Sequence, residues 1–324
     1  MREKLSTYGS SDGQRRRSGM RSSSPRRATV AGLTVLAALL VMLAPGRCAM
    51  AEETPAAEGR VRSADGVEIV YSTRGAGATA LVLIHGGLAN RSFWAPQMAS
   101  LSGAYRVVAL DLGGHGESGR NRAAWTLPAW ADDVRAVVTA LDLKRVVLVG
   151  NSLGGAVALE AAALLRGRVI GVVGVDTLHL ATQTIPAEQS RARADAFRKD
   201  FAGTSHAMVE QLFHPGAYPE LRAWAEREMK ATAPEVAVGI MEGFAGYEMA
   251  AAFRGAGVPI RAINGDLWPT DVAGNRAVTP DFDAVIMKDA GHYPMLERPD
   301  EFNRLLAGVV AELERKATPA PPAR

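Results

Sequence analysis

Short apolar runs, each of strand length and rich in Val or Ile, recur through the middle of the chain at residues 80–84, 105–110, 145–149, 169–175, 258–263 and 282–287. A run that is apolar without alternation suits a strand covered on both faces. Stretches with helical periodicity, such as 129–141 and 153–165, lie between several of them. Strands alternating with helices predict an α/β fold, a mostly parallel central sheet flanked by helices. Ahead of these runs, residues 60–73 alternate around Ala64-Asp65-Gly66, which is how a β-hairpin with an Asp-Gly turn is written.

The rhythm changes between residues 180 and 255. Strand-like runs vanish, and 191–201, 207–213, 221–230 and 235–253 take on helical periodicity with charged faces. This predicts a helical lid over 180–255, inserted between two core segments, 60–179 and 256–316, the second ending in a helix at 299–316. Three prolines within 317–324 predict a disordered tail.

A length of 324 residues suits one large α/β domain. With 48% hydrophobic and 22% charged residues, the chain is neither mostly disordered nor a many-span membrane protein. The net charge of +3 hides a split. Residues 1–51 hold nine Lys and Arg against two acids, a charge of +7, which leaves 28 basic and 32 acidic residues, or −4, on the remainder. A body of that charge offers no electrostatic footprint for nucleic acid.

The basic leader itself reads as an export signal: positive to Arg27, apolar over 28–44, then Ala49-Met50-Ala51 before Glu52. Cleavage after Ala51 is expected, with 52–59 an Ala/Glu-rich linker and the mature protein periplasmic or secreted. The alternative is an uncleaved anchor, since the apolar run reaches the lower limit of ~17–25 residues for a span. Either way, the membrane is met only through the leader. The single cysteine, Cys48, falls before the expected cleavage point, so disulfides, cysteine nucleophiles and thiolate metal sites are excluded from the mature chain.

Candidate chemistry centres on Gly150-Asn151-Ser152-Leu153-Gly154, a buried strand running into Gly-x-Ser-x-Gly and an Ala-rich helix. A sharp strand-to-helix turn holds the middle residue out at the strand end, and flanking glycines remove side chains that would collide. Ser152 is the candidate nucleophile. It needs a histidine base oriented by a carboxylate. Of six histidines, His292 stands on a loop after the last strand, where a site is expected. His115 reads as a structural turn residue, and His179, His206 and His214 as packing or solvated residues in or near the lid. His85-Gly86-Gly87 ends the strand at 80–84, and a glycine turn there brings the Gly87 N–H, with the Leu153 N–H, to an oxyanion.

Taken together, these segments resemble the α/β-hydrolase fold family, over about residues 60–316. His85-Gly86-Gly87 is similar to its oxyanion loop, 111–119 to its glycine-rich segment, 150–154 to its nucleophile elbow, and Gly291-His292-Tyr-Pro-Met-Leu-Glu-Arg-Pro to its histidine loop. The resemblance implies a triad in the order serine, acid, histidine. Members usually carry the aspartate three residues beyond a glycine ending the seventh strand, but here Trp268 holds that place after Gly265. Asp266, nearest the strand end, is favoured as the acid, with Asp271 second and Asp176, after the strand at 169–175, third.

The expected reaction is hydrolysis of a small carboxylic ester, thioester or lactone through an acyl-enzyme on Ser152. Serine at the elbow separates the chain from similar dehalogenases and epoxide hydrolases, and Leu153 from peroxidase-like members that often carry methionine there. A carbon–carbon bond hydrolase on the same triad and a non-catalytic small-ligand receptor are the alternatives. Trp94, Met98, Trp224, Met241, Phe244, Tyr247 and Trp268 are candidates for an apolar acyl pocket. No cofactor is implied, since the glycine-rich turns follow no dinucleotide fingerprint, and histidines at ligand-like helical spacing are missing.

Overall fold

The apolar runs are strands, and the most uniformly apolar lie at the centre. The computed structural model describes residues 56–318; the leader, its cleavage site, Cys48, the start of the linker and residues 319–324 lie outside the described residues. Strands β1 (Ala57–Arg62), β2 (Glu68–Arg74), β3 (Ala80–Ile84), β4 (Arg106–Leu110), β5 (Val146–Asn151), β6 (Val169–Val175), β7 (Ile260–Gly265) and β8 (Phe282–Met287) form one sheet in the order β1-β2-β4-β3-β5-β6-β7-β8. β1 and β2 run antiparallel to their neighbours, and all pairs from β4–β3 to β7–β8 are parallel. Every residue of β3 and β5 is buried, whereas edge strand β8 leaves Val285 and Ile286 exposed. The first strand starts before the expected hairpin: Ala57, Glu58 and Gly59, placed in the linker by sequence, pair with Thr73, Ser72 and Tyr71.

Eleven helices are described: α1 (Ala95–Leu101), α2 (Leu127–Ala140), α3 (Leu153–Leu164), α4 (Ala187–Lys199), α5 (Phe201–Gln211), α6 (Pro219–Lys230), α7 (Pro234–Gly243), α8 (Met249–Ala256), α9 (Val272–Val278), α10 (Pro294–Glu297) and α11 (Pro299–Ala317). Helix α3, made mostly of Ala, Gly, Leu and Val, is buried along nearly its whole length and packs between α2 and α8. Helix α11 is amphipathic, burying Phe302, Leu306, Val309, Val310 and Leu313 against the sheet and running one residue into the expected tail.

The helical insertion is present between β6 and β7. Helices α4–α7 pack chiefly on one another, α4 with α7 and α5 with α6. The stretch 235–253, expected as one helix, is broken by a turn with Gly246 at φ +68°, a conformation that glycine adopts without cost. The break frees α8 to pack on α3 beneath the lid, as the crossover helix that feeds β7.

This strand order positions the site. From β3 the chain moves to β4 on one side, then returns to place β5 on the other side of β3. Loops leaving adjacent strands in opposite directions open a crevice at their carboxyl ends. The register pairs Ile84 with Gly150, Asn151 with Val175 and Val175 with Ile263, so the residues just beyond each strand meet along one edge.

Candidate active site

Ser152 sits at the crest between β5 and α3 with φ 53° and ψ −118°. A non-glycine residue in that region stores roughly 1–3 kcal/mol, which the surroundings must hold in place. They do so through close backbone packing. A Cβ on Gly150 would lie 2.1 Å from the Gly154 carbonyl oxygen, and one on Gly154 would lie 2.4 Å from that of Ile84. Only glycine fits at either place. The Ser152 N–H donates to the Val175 carbonyl at 3.2 Å, and its carbonyl accepts from the Thr177 hydroxyl at 3.0 Å. The crest is thus locked to the end of β6, at the N-terminus of α3.

His292 and Ser152 line one cavity, and the carboxylate that meets His292 is Asp176. His292 Nδ1 lies 2.6 Å from Asp176 Oδ2, and the Asp176 side chain is fully buried. The other carboxylate oxygen, Oδ1, accepts the Gly265 N–H at 3.0 Å. The expected pairing of His292 with Asp266 is therefore not formed. Asp266 instead accepts from the Asp289 N–H at 3.0 Å and lies 2.8 Å from His214 Nε2, tying the lid to the core. The N–H of Asp289 and then His214 hold its carboxyl below the ordinary value, as befits a solvated, hydrogen-bonded carboxylate. Asp271 caps α9, accepting the Gly274 N–H at 2.8 Å. The reason is strand order: β6 is the direct neighbour of β5, and β7 is one strand farther away. Gly265, the glycine after which the acid was sought, supplies a donor to Asp176 instead.

Three buried polar residues that sequence reasoning passed over fix the loops. Asn151 Nδ2 donates to the Val175 carbonyl at 2.9 Å and to that of His292 at 3.0 Å, clamping the histidine loop to the crest. Glu297 accepts the N–H groups of Gly291 and Tyr293 at 2.7 and 3.0 Å, one on each side of His292. Burial pushes its pKa up despite those two donors. Asn264 joins the loop after β6 to that after β7, bonding Thr177 and Thr270. A polar residue within an apolar strand end or histidine loop was the available signal.

The Gly87 loop is shaped by a buried histidine. His85 Nε2 accepts the Leu112 N–H at 3.0 Å, so the proton resides on Nδ1, which donates to the Gly86 carbonyl at 2.7 Å. Burial lowers the His85 pKa, which favours this neutral form. His115 packs 4.9 Å from it between ring centroids and is likewise driven neutral by burial, a turn residue as expected. Gly86 passes so near the crest that a Cβ there would lie 3.2 Å from Ser152 Cβ. Gly87 and Leu153 both line the cavity beside Ser152.

The cavity holds about 560 Å³, between the sheet edge and the lid, within the range that accommodates small ligands. Met241, Phe244, Tyr247 and Trp268 line it as expected. Trp94 and Trp224 pack on Phe302 and Phe93 instead, and Met98 is buried in the core. Trp268 stands edge-on to His292, 5.5 Å between centroids. Of the lid-region histidines, His206 pairs with Glu226 at the surface, while His179 Nε2 comes to 3.8 Å from Asp176 Oδ1. Burial lowers the His179 pKa. Among the described residues no cluster of His, Cys, Asp and Glu is arranged to hold a metal ion, and no helix is long and apolar enough to cross a membrane.

Comparison with known proteins decides the lineage. Residues 81–305, well over half of the chain, match the family described as the Alpha/beta hydrolase family. The chain belongs to that family. Within the alpha/beta hydrolases it is 26% identical over 270 residues to the dihydrolipoyllysine-residue acetyltransferase component of the acetoin cleaving system of Cupriavidus necator, covering 79% of this chain and 70% of that one. An uncharacterized protein of Mycobacterium bovis is 39% identical over 101 residues, but that stretch is only 31% of this chain and 29% of the relative. Among solved structures, an N-acyl homoserine lactone degrading enzyme is 27% identical with a TM-score of 0.66, covering 77% of this chain and 99% of that one. An esterase from Rhodococcus is 26% identical with a TM-score of 0.65, covering 79% and 99%.

Proposed function

We propose that this alpha/beta hydrolase is a serine hydrolase that cleaves a small carboxylic ester, thioester or lactone through an acyl-enzyme on Ser152. The observation that carries the reading is Ser152 on a strained crest, sharing one cavity with a His292 whose other ring nitrogen is held by buried Asp176. With Nδ1–H donated to Asp176, His292 Nε2 is left to accept a proton. It takes the Ser152 proton as the oxygen attacks the carbonyl carbon, and Asp176 stabilises the imidazolium that forms. The N–H groups of Gly87 and Leu153 are the proposed donors to the tetrahedral oxyanion, each worth roughly 2.7–4 kcal/mol by analogy with single-donor removals in other enzymes. His292 then returns the proton to the leaving group, and water repeats the cycle on the acyl-enzyme.

Support for ester and lactone substrates comes from the activities that name the two similar solved structures. Export belongs to the same proposal and rests on the leader's sequence alone.

The test is turnover of p-nitrophenyl butyrate by wild type and Ser152→Ala, with folding compared by circular dichroism. Burst release followed by steady turnover in wild type, and loss of both in the variant, are expected. Undiminished hydrolysis by folded Ser152→Ala refutes the proposal. A single slow labelling event without turnover identifies a ligand receptor instead.

A further inference from the structure

We infer that His179 is a positioning residue for the pair Asp176 and His292: its imidazole stays neutral, turns its Nε2–H on the second carboxylate oxygen of Asp176, and so sets how tightly His292 holds a proton. This rests on the serine hydrolase reading and deepens it.

His179 lies three residues past Asp176 in the loop after β6, and it lines the cavity that holds Ser152 and His292. Asp176 and Leu178 both have positive φ, 45° and 58°, which non-glycine residues keep only where their surroundings enforce it. Two buried asparagines do so. Asn275 on α9 donates to the Leu178 carbonyl at 2.9 Å and accepts the Ala181 N–H at 2.6 Å, while Asn264 accepts the Thr177 N–H at 3.2 Å and donates to the Thr177 carbonyl at 3.1 Å. The turn is thereby held with the His179 ring beside the carboxylate.

The same network fixes where the ring proton sits. Because a backbone N–H can only donate, the Thr177 N–H makes Oδ1 of Asn264 the acceptor and its amide nitrogen the donor. That nitrogen lies 2.9 Å from Thr270 Oγ1 and 3.2 Å from His179 Nδ1, and Thr270 Oγ1 lies 3.0 Å from the same Nδ1. Nδ1 therefore accepts, and a neutral ring carries its proton on Nε2. Nε2 is buried, makes no hydrogen bond, and lies 3.8 Å from Asp176 Oδ1.

That separation is too long for a hydrogen bond, but in a site shut off from solvent an N–H dipole still acts on a carboxylate across it. Asp176 thus divides its charge. Oδ2 meets His292 at 2.6 Å, and Oδ1 meets the Gly265 N–H at 3.0 Å and the His179 dipole. A charged ring at 179 would oppose the imidazolium that forms on His292; burial lowers the His179 pKa against the pull of Asp176, so the ring stays neutral. The other titratable or charged groups around the pair are Glu297 and Tyr293 in the His292 loop, His214 and Asp266 where lid meets core, Asp271 beside the His179 carbonyl, and Arg193 on the cavity wall. Substitution at 179 leaves all of them in place.

The experiment is the pH profile of kcat/KM for p-nitrophenyl butyrate, whose acid limb marks protonation of His292. His179→Asn sets an acceptor oxygen where Nδ1 stood and nothing where Nε2 stood; His179→Gln sets an amide nitrogen at the place of Nε2. Without the dipole on Oδ1, more of the carboxylate's charge falls on His292, which keeps its proton to higher pH. His179→Asn is therefore expected to move the acid limb up by about half a pH unit, a fraction of the roughly 1–3 units that a full charge exerts at short range, and His179→Gln to leave it near the wild-type position. His179→Phe, which fills the space with neither nitrogen, replaces His179→Asn if circular dichroism shows that variant unfolded, and the same move is expected. A limb that stays put or moves down in the folded Asn or Phe variant, whatever the rate, overturns the inference, as do equal moves in the Asn and Gln variants. Titration of isotope-labelled His292 by NMR in Ser152→Ala, assigned by His292→Gln, reads the same coupling without turnover. Hydrolysis with limb and titration both unmoved by His179→Asn overturns the coupling alone. A wild type without hydrolysis, whose His292 titration still moves with His179→Asn, overturns the hydrolase reading and leaves the coupling standing.

Discussion

Asp176 with His292 and Asp266 with His214 are the same two side chains at nearly the same separation, 2.6 and 2.8 Å, on the same edge of the sheet. They differ in what surrounds them. The Asp176 side chain is 0% exposed and its histidine 11%, whereas Asp266 and His214 are 30% and 32% exposed. The buried pair sits beside the end of β5, its aspartate held by a backbone N–H and its histidine loop clamped by Asn151 and Glu297. The wet pair joins a lid turn to a core loop. Short contact alone thus does not single out the acid of the proposed triad; adjacency to β5 and exclusion of water favour Asp176, because a carboxylate orients an imidazole strongly only where solvent does not compete.

The comparison breaks most visibly through the two aspartates. Asp176→Asn is expected to lower kcat for p-nitrophenyl butyrate by about 10³–10⁴-fold, since an amide no longer enforces the tautomer that leaves Nε2 free. A loss of that size from Asp266→Asn, with Asp176→Asn mild, would reverse the assignment.

Glu297→Gln sharpens the role of the clamp. A neutral amide offers one acceptor oxygen where the carboxylate offers two, so the loop carrying His292 loosens. A fall in kcat of about 10- to 100-fold is expected from such misplacement, with KM little changed and unfolding by urea shifted to lower concentration. If KM rises while kcat holds, Glu297 shapes substrate binding and does not position His292.

The smallest effect belongs to the wet pair. Asp266→Asn should change kcat by less than about twofold and stability by under about 1 kcal/mol, the ordinary range for exposed pairs. Because the folded-state pKa of Asp266 lies below its ordinary 3.8, its contribution is complete above that value. It is lost as pH falls through the folded value. Urea titrations of wild type and variant should therefore differ above about pH 4 and converge in stronger acid.

Much of this molecule was legible in order along the chain. The central strands, the crest at Ser152, the loop carrying His292 and the loop at Gly87 are each written in local sequence: an apolar run, a glycine on each side, a strand end. The lid was legible as a change of period, though not its break at Gly246, where α8 leaves to pack on α3. The pocket was half legible. Aromatic residues in a helical stretch look alike whether they face a cavity, as Phe244 does, or another ring, as Trp224 does.

What the sequence determined by itself was whatever depends on neighbours within a few residues: backbone conformation, strand and helix period, and which serine stands proud of its turn. What only tertiary structure decided was partnership. Asp176 and Asp266 each stand directly after a strand end, and nothing local separates those two. The sheet places β6 against β5, and the Gly265 N–H reaches across from β7 to hold the nearer carboxylate. Which aspartate meets His292 is a matter of strand order and burial, and both exist only once the chain has closed on itself.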